Sequence, residues 1–189
     1  MKVKSILELG DSVPSACSND EADMGSIDRA DWHYGGDYPT DLPRKGGGTH
    51  IGMYLTWIIM NDLIGVVHTE NSFSAVQAVK TREISGRDFL FEHCDGKFWA
   101  EDLTPEGQDF TKKYYLNPMD DKKPYGQYIN DYERALTGSL NSLYEVEDTW
   151  SNYDKLSSVI DRRYKNYKSL NRDAGLPRVG NKIYPNKCG

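Results

Sequence analysis

From Thr49 onward, apolar residues return at helical spacing. Ile51, Tyr54, Leu55, Ile58 and Ile59 fall at offsets 0, 3, 4, 7 and 8, a single stripe along a helix. Met53, Trp57 and Met60 fill the other side, so this helix is apolar nearly all round and belongs at the centre of a core. Thr49 is placed to cap it, and Asn61, Asp62 and Gly65 end it well short of bilayer thickness.

Further helices follow from the same period. Phe73, Val76 and Val79 carry one to about Glu83, and Gly86 to Cys94 form a short one that stops at the Asp95-Gly96 turn signal. Thr104-Pro105 is a helix start, with a capping hydroxyl and a proline where no amide partner is needed; Phe110 and Tyr114 then lie four apart, and Pro118 bounds the element. Pro124 opens the next, in which Tyr125, Tyr128, Ile129, Tyr132 and Leu136 form one stripe closed by Gly138. The longest runs from about Asp148 to Leu170: Trp150, Tyr153, Leu156, Ile160, Tyr164 and Tyr167 advance in steps of three or four, and a basic last turn suits the negative helix end.

Period-two alternation is scarce. The expected fold is mainly α: a single-domain bundle of five or six helices around the central apolar helix, with at most a small β-hairpin around Asp95 to Ala100. Residues 1–30 read as an acidic, loosely structured lead-in, 31–170 as the helical domain, and 171–189 as an extended, basic, turn-rich tail.

Composition sharpens this picture. Apolar residues are a modest 38%, but 13 Tyr, 5 Phe and 4 Trp supply large contact areas, so the core should be rich in rings. The tyrosines on helical stripes are counted as core first and as binding surface second. There is neither a membrane-spanning apolar run nor a signal-peptide pattern, and the three cysteines, Cys17, Cys94 and Cys188, lack paired spacing. A soluble protein of the reducing cytoplasm is expected. Charge is divided along the chain: residues 1–41 hold nine acids against three bases, and residues 160–189 hold eight bases against two acids.

Candidate chemistry is sparse. His33, His50, His68 and His93 share no spacing that sets two ligands on one helical face, so no metal, cofactor or catalytic residue is assigned. The best cluster combines Asp31, His33, Asp37 and His50 around the Gly-rich connector Arg44 to Gly48; the plain reading is that these groups tie an aromatic loop to the central helix. His93-Cys94-Asp95 invites a thiol reading, but neighbours in sequence point apart on a helix or strand, and a buried structural cysteine is far commoner. Arg44-Lys-Gly-Gly-Gly-Thr-His has the look of an anion-binding turn yet matches no phosphate-binding motif. The basic C-terminal stretch places its rings on the apolar stripe rather than among its charges, so direct nucleic-acid contact is not expected.

Trp32-His-Tyr-Gly-Gly-Asp-Tyr-Pro39, Asp41-Leu-Pro43 and Gly48-Thr-His-Ile-Gly-Met-Tyr-Leu-Thr-Trp57 resemble an uncharacterised family of small bacterial proteins. The likeness continues through Gly86-Arg-Asp-Phe-Leu90, Glu101-Asp-Leu103, Tyr114-Tyr115 and Leu143 to Tyr153, spanning roughly residues 31–168. The resemblance assigns no activity. It implies a context: partners of bacterial polymorphic toxins, the immunity proteins that bind a cognate toxin domain and block it.

The resulting expectation is an immunity-type binding protein that neutralises its toxin by steric and electrostatic occlusion. A basic nuclease would suit an acidic binder. Asp20, Glu21, Asp23, Asp31, His33, Tyr34, Asp37, Tyr38 and Asp41 are the expected contact residues. The alternative is a small metal- or His/Asp-dependent hydrolase using His33, Asp37 and His50 beside the connector.

Overall fold

The computed structural model describes residues 25–35, 38–116 and 127–174. Among them are strand β1 (Ser26–Arg29) and helices α1 (Thr49–Met60), α2 (Val66–Asn71), α3 (Phe73–Lys80) and α4 (Gly86–His93). Strand β2 (Lys97–Trp99) and helices α5 (Pro105–Tyr114), α6 (Gln127–Leu136) and α7 (Trp150–Ala174) follow, with short 3-10 turns between. The fold is mainly helical with one two-stranded sheet, as the apolar periodicity predicts.

Helix α1 is the axis. Every residue from Thr49 to Ile59 is buried, because other elements cover all of its faces. Trp57 lies under α5 and α7: its ring meets Phe110 at 5.4 Å and Tyr164 at 5.1 Å, and its Nε1–H donates to Asp161 at 2.8 Å. On another face Tyr54 packs against Tyr115 and Tyr128, each with ring centroids 4.9 Å away. Fully burying a side chain of this size contributes about 2–3 kcal/mol.

The approach of α4 to α1 depends on two glycines. A Cβ on Gly86 would lie 2.2 Å from the Gly52 carbonyl oxygen and 2.2 Å from Thr56 Oγ1. The Gly86 N–H instead donates to Thr56 Oγ1 at 3.0 Å, and the Thr56 hydroxyl donates to the Gly52 carbonyl at 2.8 Å.

Most predicted starts and stops coincide with the structure. Thr104 accepts from the Gly107 amide at the start of α5, and Gly138 takes positive φ beyond α6. Thr49 differs from expectation: the 3-10 turn Arg44–Gly48 runs straight into α1, so Gly48 takes the cap position and the Thr49 hydroxyl accepts from Arg87. The helix absent from the periodicity is α2, whose six residues are too few to draw a stripe. Pro118, Pro124 and Tyr125 lie outside the described residues.

The sheet also departs from expectation. Lys97–Trp99 falls where a hairpin was expected, but its antiparallel partner is Ser26–Arg29, from the end of the supposed lead-in. Among the described residues the lead-in is therefore part of the core, with Ile27 and Ala30 buried. The register slips between Ser26 and Asp28, and at this irregularity the consecutive residues Ile27 and Asp28 are both buried. No helix among the described residues is long and apolar enough to cross a membrane.

Candidate functional site

The irregular register of β1 aims a carboxylate into the interior. Asp28 is 8% exposed and accepts four hydrogen bonds. To Oδ1 come the Arg29 amide at 2.7 Å and His33 Nε2 at 2.9 Å; to Oδ2 come Tyr115 Oη at 2.6 Å and His50 Nε2 at 3.3 Å. Four donors meet the acceptor capacity of a carboxylate. Burial works to raise the pKa of Asp28, but the bonds from His33 and His50 outweigh it and hold the carboxyl well below the usual range.

Each partner arrives from a different element. His33 ends the 3-10 turn Ala30–His33 that continues β1, His50 lies in the first turn of α1, and Tyr115 follows α5. The other ring nitrogen of His33, Nδ1, is hydrogen-bonded with the Tyr144 hydroxyl at 3.1 Å. His50 is 1% exposed, and burial holds its imidazole below the ordinary value despite the adjacent carboxylate. It is therefore the neutral Nε2–H form. Its Nδ1 has no protein partner among the described residues, nor does the buried Tyr132 hydroxyl, whose ring faces His50 edgewise at 6.1 Å. Tyr115 keeps its proton, because burial and the Asp28 charge both push its ionisation upward.

The ligand-type atoms of Asp28, His33 and His50 lie within 4.8 Å of one another, a separation that could hold a metal ion. With all four acceptor positions already filled from the protein, the cluster is complete as an anion cage. An ion entering here would have to displace the two imidazole donors.

The structure brings His33 and His50 together, as expected, around Asp28 rather than Asp31. Asp31 is exposed and turned to Arg29, which donates to it from Nε at 2.9 Å. Asp37, like Asp20, Glu21 and Asp23, lies outside the described residues. Asp28 is missing from the expectation because Ser26-Ile-Asp-Arg29 is too short to show alternation.

The remaining loop residues form a ring-lined shell around the cluster. Tyr38 donates to the Pro43 carbonyl at 2.6 Å and packs on Tyr144 at 4.9 Å, and the Arg44 guanidinium lies 5.4 Å from the Tyr34 ring. Asp41 is exposed. The connector's glycines lie against these rings: a Cβ on Gly47 would sit 2.9 Å from Tyr34 Cε1. Trp32, on the same 3-10 turn as His33, points outward at 59% exposure with Arg29 over its ring at 5.8 Å.

The thiol does not pair within His93-Cys94-Asp95. His93 packs on Phe89, while Cys94 Sγ faces His68 Nε2 at 3.8 Å. His68 in turn meets Asp102 Oδ1 at 2.8 Å.

No curated protein and no solved structure matches the chain. Residues 26–146, from the first residue of β1 to the valine before α7, match the sequence profile named Domain of unknown function (DUF7832), and the chain belongs to that family.

Proposed function

We propose that the chain is an immunity-type binding protein that docks on a cognate toxin through the Ala30 to Pro43 loop and acts in the cytoplasm. The observation that carries this reading is Trp32. Its indole is held out to solvent on a 3-10 turn whose next side chain, His33, is tied to the buried Asp28. A large exposed ring carried on an anchored turn needs no backbone ordering on binding, which suits it as an interface anchor. Asp31 beside it and the acidic balance of residues 1–41 suit a basic partner, such as a nuclease.

The test is co-expression with the product of the neighbouring gene, under conditions in which that product alone arrests growth. Growth rescue and a stable purified complex are expected. Trp32→Ala should weaken that complex about 30-fold, the equivalent of about 2 kcal/mol, with unchanged thermal unfolding. Failure to form a complex, or a Trp32→Ala variant that binds as tightly as the parent, would overturn the reading.

One observation favours the alternative of a small hydrolase: two imidazoles and a carboxylate converge beside the connector. In that reading His33, the more exposed histidine, exchanges protons with a substrate while Asp28 orients it. Turnover that disappears in His33→Gln while folding is intact would favour it over docking.

A further inference from the structure

We propose that His68, Cys94 and Asp102 form a binding site for a divalent metal ion of the zinc type. The inference is independent of the docking loop. His68 comes from α2, Cys94 follows the last residue of α4, and Asp102 ends the 3-10 turn Ala100–Asp102. Their donor atoms, a ring nitrogen, a thiol sulfur and a carboxylate oxygen, lie within 4.8 Å of one another.

The geometry separates this cluster from a catalytic relay. In a thiol–imidazole–carboxylate chain, thiol and carboxylate sit on opposite ring nitrogens. Here both face Nε2 of His68, Asp102 Oδ1 at 2.8 Å and Cys94 Sγ at 3.8 Å. Three donors of different kinds converge on one point. In a tetrahedral zinc centre with bonds of about 2.0–2.3 Å, the nitrogen–sulfur edge is about 3.6 Å and the nitrogen–oxygen edge about 3.3 Å. The first is nearly met. The second requires the His68–Asp102 contact to open by about half an ångström, as happens when a metal replaces the proton between them.

The supports around the donors are those of a built site. The Trp99 amide donates to Asp102 Oδ2 at 2.7 Å, leaving Oδ1 for the cluster. Phe89 meets the His68 ring edgewise at 5.1 Å, the planes inclined at 65°, and restricts its rotation. Asp95 at φ 52° and Gly96 at φ 69° form a tight turn closed by the Lys97 N–H donating to the Cys94 carbonyl at 2.9 Å, which fixes the thiol's Cα. His68 and Asp102 are 5% and 6% exposed and Cys94 is half-buried, so the donors are shielded from bulk water; a water would complete four-coordination. Without metal, burial and the neighbouring Asp102 push the thiol's ionisation upward; a bound dication reverses that balance.

The test uses the full chain carrying Cys17→Ser and Cys188→Ser, treated with a chelator and titrated with Co2+. One equivalent should bind with an intense near-ultraviolet thiolate charge-transfer band, and Zn2+ should displace it and raise the unfolding temperature. Cys94→Ser, a near-isosteric change at a half-buried position, should abolish the band and weaken Zn2+ binding roughly a hundredfold or more, with the far-ultraviolet dichroism unchanged. His68→Gln should do the same, and His33→Gln should not. Absence of the band in the Cys17→Ser/Cys188→Ser chain, its survival in Cys94→Ser, or its loss in His33→Gln would overturn the proposal.

Discussion

The imidazoles of His33 and His50 meet edge to face, centroids 4.5 Å apart, with both Nε2 atoms turned to the carboxylate of Asp28. One buried charge thereby joins the strand, the loop that follows it, the central helix and the end of α5, with no lysine or arginine side chain among the described residues bonded to it.

Asp28→Asn tests this dependence. The amide keeps the shape but sets an NH2 group against donors and removes the charge that attracts them. The cost should be about 3 kcal/mol in urea unfolding, the scale for breaking a buried hydrogen-bonded ionic cluster.

The same cluster sets a pH response. His50 is held below its ordinary 6.5, so between that lowered value and 6.5 the unfolded chain binds more protons than the folded one. Stability is full above about pH 6.5 and falls as the pH drops through that window. Asp28, lowered from 3.8, adds a second loss of the same sign under more acid conditions. The groups facing His50 are Asp28, His33 and Tyr132. His50→Gln keeps a donor for Asp28 and cannot titrate, so its unfolding free energy should change less than the parent's between pH 7.5 and 5.5. Equal slopes would contradict the assignment.

Gly86→Ala should be disproportionately costly for one methyl group. The added carbon meets the backbone of α1 and cannot be relieved by rotating a side chain. A loss of about 3 kcal/mol, read as a melting point about 6–12 °C lower, is expected.

Asp131 of α6 is 2% exposed and accepts from Arg163 Nε at 2.7 Å and Nη2 at 3.0 Å, with Tyr114 and Gln127 as further donors. Asp131→Ala leaves three donors without their acceptor and should cost about 3 kcal/mol. Arg163→Met strands the buried carboxylate instead, whereas the guanidinium left by Asp131→Ala can reach water, so the Met exchange should cost at least as much in the same assay.

The helical part of this molecule is legible because its rings and aliphatics repeat at the helical period for turn after turn. Trp150 to Tyr167 and Ile51 to Ile59 identify α7 and α1, and Thr104-Pro105 marks the start of α5. The strand and the acid of the candidate site were not legible. Ser26–Arg29 is four residues long and pairs with a segment some seventy positions away, so no local pattern records it. The His68–Cys94–Asp102 cluster is hidden for the same reason: each donor comes from a separate element, and spacing rules register only ligands that share one. His33 and His50 meet because both donate to Asp28, a convergence that their spacing in the sequence does not impose.

Helix α7 lies beyond the stretch matched by the family profile, yet Tyr153, Leu156 and Ile160 enter the interior and Asp161 accepts the hydrogen bond of the Trp57 indole N–H. A fragment cut at the profile's limits would expose one flank of the axial helix to water. The minimal autonomous unit of this protein is accordingly longer than the segment by which its kin are recognised.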